Sequence, residues 1–135
     1  MGKGPVLGLS TVEEADSSLV SAWLRYEAEK EKDTNDPDWW AVEKLQGVFR
    51  DDPDRAWEIT VELARESETE WQVVMIGCGI LEDLLHLDPD RYLERLDVEG
   101  RTNRKLITAA AHVWGGTSLR SRLDALLSKY GQRRL

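Results

Sequence analysis

The stretch EWQVVMIGCGILEDLLHL, residues 70–87, decides the fold. Val73, Val74, Met75, Ile76, Cys78, Ile80, Leu81, Leu84, Leu85 and Leu87 point in nearly every direction of a helix, and a helix apolar almost all round is packed at the centre of a domain. Its polar residues do not scatter. At about 100° per residue, Gln72, Gly79, Glu82, Asp83 and His86 fall on one narrow strip, the only side expected to look outward. That strip is the first candidate for a binding site.

Gly77 and Gly79 each cost about 1 kcal/mol against Ala inside a helix. No strand precedes them and no Gly-Lys-Ser/Thr follows, so they are not a phosphate loop. Close approach of another helix backbone is the expected reason for both. The alternative, for Gly79 on the polar strip, is a notch that admits a partner's side chain. Cys78 between them reads as a small core residue, with no basic neighbour to make it a nucleophile.

Away from this helix, the 135 residues are enough for one domain with a core of its own. No apolar run of membrane-spanning length occurs, and MGKGPVLGLS lacks the apolar region of a secretory signal. One cysteine excludes an internal disulfide, which fits a cytoplasmic setting. Residues 1–100 carry 25 acidic and 10 basic side chains, whereas residues 101–135 carry 1 and 8. An acidic segment of −15 argues against nucleic acid and for a basic protein partner.

Residues 1–9 read as a loose arm, 10–131 as a single all-α domain and 132–135 as a basic tail. Ser10 or Thr11, with Glu13 or Glu14, makes a capping box that opens the first helix, which frays in the charged run Glu27–Asp33. Asp36-Pro37 and Asp52-Pro53 start the second and third helices. Thr69 and Gln72 form the capping box of the central helix. Asp88-Pro89 opens the fifth helix, stopped by Gly100. Asn103 or Thr102 opens the sixth, expected to reach Trp114 before Gly115-Gly116. Thr117 caps the seventh. Nothing alternates with period two, so no strand is expected. Asp52-Pro53-Asp54-Arg55 recurs 36 residues later as Asp88-Pro89-Asp90-Arg91. About seven helices are expected, arranged as stacked αα-hairpins of HEAT-like build or as an irregular bundle.

Asp83-x-x-His86 has the form of half a di-metal carboxylate motif, but the second half is missing, so no metal, cofactor or catalytic residue is assigned. A helix-end network, in which a carboxylate of the strip accepts hydrogen bonds from a neighbouring helix terminus or a Trp indole, is the preferred reading. Six tryptophans are many for this length. Trp23, Trp57 and Trp71 sit on apolar stripes, and Trp114 is expected to staple the end of its helix. Trp39 and Trp40 diverge by about 100°, so one of them should lie at the surface as an anchor for a partner.

These residues carry a resemblance. Asp52-Pro53-Asp54-Arg55-Ala56-Trp57, the Leu81–Leu85 run Leu-Glu-Asp-Leu-Leu and Val113-Trp114 make residues 20–127 resemble an uncharacterised family of small all-helical bacterial domains. Its members usually have Gly-Pro before Leu-Glu-Asp, where Gly79-Ile80 stands here. The resemblance implies a fold and no activity. The expected function is a non-catalytic protein-binding module, an immunity- or antitoxin-like inhibitor of a basic partner, with Trp39, Trp40, Gln72, Gly79, Glu82, Asp83 and His86 as its binding residues. The alternatives are self-association, acidic face against basic tail, and a hydrolase using Glu82, Asp83 and His86.

Overall fold

A computed structural model describes residues 11–29, 32 and 35–134. The expected arm at 1–9 and the cap at Ser10 lie outside them. Helices run over Thr11–Glu27 (α1), Trp39–Asp51 (α2), Pro53–Glu66 (α3), Glu70–Ile76 (α4), Glu82–Leu87 (α5), Pro89–Glu99 (α6), Arg104–Ala110 (α7) and Thr117–Lys129 (α8). A single π turn, Gly77–Leu81, joins α4 to α5 into one central helix, so the described residues hold seven helices and no strand. The fold is all-α.

Local chemistry explains most boundaries. Asp52 and Asp88 share one backbone conformation, φ −152 ψ 80 and φ −150 ψ 82, and each accepts a hydrogen bond from the backbone N–H of the arginine three residues on. With Pro at the first helical position, the two copies of Asp-Pro-Asp-Arg are the same device used twice. Thr69 and Gln72 form both bonds of a capping box. Asn103 caps α7 through the Leu106 N–H. Asp36-Pro37 does not start α2: the Asp36 carboxylate accepts the Asp38 N–H in a turn, and the helix begins at Trp39. Helix α7 stops at Ala110, short of the expected Trp114. Thr117 is the first residue of α8 rather than its cap, which is Gly116.

Residues of the repeat also tie helices together. Arg55 reaches Asp16 of α1 at 2.6 Å, Arg91 reaches Asp54 of α3 at 2.5 Å, and Arg122 reaches Asp90 of α6 at 2.7 Å. The same type of rung thus links α1 to α3, α3 to α6 and α6 to α8. Asp54 is the most connected, also taking Arg95 and the Tyr92 hydroxyl, while the Tyr92 ring stacks on Trp57 at 5.6 Å. Burial, and the bond to Asp54, push the Tyr92 hydroxyl up to about 12.

Ile76, Leu81, Leu84 and Leu85 of the central helix are fully buried; its first part and the π turn pack against α1, α3 and α7, and α5 packs against α6. The burial is not all round. Val73, Val74 and Met75 are half-buried, and Cys78 and Leu87 are exposed. The expected core role of Cys78 is therefore wrong. A π turn carries one residue more than an α turn, so positions beyond it are rotated from where a straight helical wheel puts them.

Candidate functional site

Gly77 and Gly79 have opposite reasons. A Cβ on Gly77 would lie 2.0 Å from the Ala109 carbonyl oxygen, so α7 crosses the central helix backbone to backbone there. A Cβ on Gly79 would meet nothing within 4 Å. Residues two apart on a helical turn point to roughly opposite sides, so both cannot serve one neighbour. The packing expected of Gly79 is therefore wrong: the space above it is open.

Gly79 lines a cleft of about 180 Å³ between α1, α2 and the π turn. Trp23 of α1, Val42 and Phe49 of α2, and Met75 form apolar walls, with Glu27 and Asp83 as its carboxylates. Glu27 is 5% exposed and meets the Lys32 ammonium at 2.6 Å. The same ammonium lies 5.1 Å from the Tyr26 ring centroid and 5.8 Å from that of Trp71. Partial burial of the carboxyl, then repulsion from Glu82, raises Asp83 above its ordinary value, with His86 opposing, although the residue as a whole is exposed. Burial around the thiol, with Glu82 adding to it, pushes Cys78 up, away from thiolate chemistry.

The expected strip divides into three. Gln72 faces inward at 3% exposure: its Oε1 accepts the Glu68 and Thr69 N–H groups, and its Nε2 donates to the Leu24 carbonyl. Its capping duty folds the side chain back under α1, which hydropathy alone does not reveal. Glu82 and His86 hold the segment between α7 and α8. The Trp114 N–H donates to Glu82 Oε1 at 2.7 Å, and the Trp114 carbonyl accepts from His86 Nε2 at 2.5 Å. This is the expected helix-end network, made with backbone rather than indole. The Trp114 ring is 68% exposed and staples nothing, because its backbone carries the attachment. Only Gly79 and Asp83 share the cleft.

Trp39 is half-buried with its ring 5.4 Å from that of Tyr26, whereas Trp40 is 45% exposed. Two residues from Val42, Trp40 points to the other side of α2, away from the cleft. Trp23 and Trp57 are core and Trp71 is half-buried.

A second concavity is larger. A groove of about 910 Å³ runs between α1 and α3, with Val20, Leu24 and Ile59 among its lining and Glu58, Glu62 and Glu66 along one wall. Asp16, paired to Arg55, and Glu68 add two more carboxylates, and Arg25, ion-paired to Asp38 at 2.9 Å, is the one cation among the described residues of the lining. Spacing of four along α3 is the sequence signal for this stripe. Among the described residues no group of three or more His, Cys, Asp and Glu is placed to hold a metal ion, and no helix is long and apolar enough to cross a membrane.

Fold and concavities together define a small all-α domain that presents one acidic groove and one apolar cleft. Residues 28–130 match the Family of unknown function (DUF6869), and the chain belongs to that family. No curated protein and no solved structure matches it.

Proposed function

We propose that this domain is a non-catalytic binding module for a basic protein, which it receives in the groove between α1 and α3. The carrying observation is the stripe Glu58, Glu62 and Glu66, one helical turn apart on the groove wall. Like charges at i,i+4 destabilise a helix by about 0.2–0.5 kcal/mol per pair. Among the described residues only Glu62 of the three is ion-paired, to Arg65 at 3.3 Å, and a stripe of this charge beside an apolar floor suits a partner segment with basic and apolar faces. The Asp–Arg rungs and the repeated helix start support a short HEAT-like stack of hairpins as the scaffold. An immunity- or antitoxin-like inhibitor in a bacterial cell is the specific form this reading takes, by analogy of build and charge. Glu82 and His86, tied to the Trp114 backbone, are better explained as structural than as hydrolase residues.

The test uses a synthetic amphipathic helix of lysine and leucine as probe, with a glutamate–leucine analogue as control. The wild-type chain should bind the basic peptide, more weakly at high salt, and ignore the acidic one. Replacing Glu58, Glu62 and Glu66 by Gln should weaken binding at least tenfold while leaving the free domain unchanged or slightly more stable in urea. Equal binding by this variant would overturn the groove as the contact surface.

A further inference from the structure

The cleft at the π turn is smaller than the roughly 300–1,000 Å³ of ordinary small-molecule sites, so it fits a side chain rather than a cofactor. Its lining is mostly apolar and includes the carboxylates of Glu27 and Asp83. We propose that it is a receptor for a single lysine or arginine side chain of the basic partner, whose methylene stem lies along Trp23, Phe49 and Met75 and whose cation meets Asp83.

Three observations converge on this occupant. Gly79 keeps the floor open although nothing nearby requires a glycine, at the stability cost a helical glycine carries. The two carboxylates of the cleft are not equivalent. Glu27 already holds the Lys32 ammonium, whereas Asp83, an exposed residue, is in no ion pair among the described residues. An arriving cation would supply the countercharge Asp83 lacks. The Lys32 ammonium, set between a carboxylate and the Tyr26 and Trp71 rings beside the cleft, shows that this region of the protein accommodates such a group. Long basic side chains combine an apolar stem with a charged head, the same division the cleft presents.

This inference rests on the reading of the domain as a binder of basic protein, and the experiment separates the two. Isotope-labelled full-length chain is titrated with Nα-acetyl-lysine methylamide, its arginine counterpart and the uncharged norleucine counterpart, observing amide and indole resonances. The lysine or arginine compound should shift Gly79, Asp83 and Trp23 saturably, and norleucine should not. Asp83→Asn should weaken the effect at least tenfold. Gly79→Leu should abolish it with the helical content intact, because the space above Gly79 is empty. Absence of shifts in the wild type, equal shifts from norleucine, or retained binding in Asp83→Asn would each overturn the receptor. Should the lysine–leucine helix still bind through Glu58, Glu62 and Glu66, the groove reading survives that failure.

Discussion

Two glycines two residues apart answer to different forces, and substitution should separate them. Gly77→Ala drives a methyl group into the Ala109 carbonyl, where backbone rather than a flexible side chain must give way. The expected loss is about 1–3 kcal/mol, the usual range for overpacking, read from urea midpoints. Gly79→Ala meets nothing and should be neutral or stabilising by up to about 1 kcal/mol, through recovered helix propensity. Similar losses at both positions would mean that the π turn is not where the backbone places it. The sequence shows the pair Gly-Cys-Gly but not which member touches a neighbour, because the direction of each depends on the extra residue in the turn.

At the scale of elements, the central helix, the two Asp-Pro starts and the Thr69–Gln72 capping box were legible in order and position, since each is a contact within a few residues. The helix ends that failed were those set from a distance. Helix α7 stops at Ala110 because Glu82 and His86, about 30 residues earlier in the chain, capture both sides of Trp114. The rungs between helices carry a pH signature. Hydrogen bonds from Arg91 and then Tyr92 hold the Asp54 carboxyl below the usual carboxylate value. The native state therefore binds the Asp54 proton less readily than the unfolded chain. The stability this contributes is complete above the ordinary carboxylate pKa of about 3.9 and is lost as pH falls through the lower folded value. Asp54→Asn should lower stability at neutral pH and flatten the decline in acid, measured as urea midpoints down the acid range. An unchanged acid profile would show that this rung is not coupled to folding.

For the molecule as a whole, the opposition between the −15 and +7 segments is partly settled inside the chain. Lys129 meets Asp97 at 2.8 Å, Arg122 meets Asp90, and the Lys105 ammonium donates to the Ser67 carbonyl. With those cations engaged, the basic end has less left to offer a second copy. Sedimentation velocity should give a monomer at both low and high salt. A dimer that dissociates with salt would instead favour head-to-tail self-association through the acidic groove.

What the residues determined unaided was the helical class, the start of most helices, the repeat of Asp-Pro-Asp-Arg and the acidic cast of the first hundred positions. All of these depend on period, on capping over three or four residues, or on composition. Only the tertiary structure decided that Gln72 turns inward, that Glu82 and His86 hold a distant backbone while Asp83 faces a cleft, and that Trp40 rather than Trp39 stays open. The reason is geometric. A one-residue excess in a π turn rotates everything beyond it, and whether a face is covered depends on helices that arrive from far along the chain.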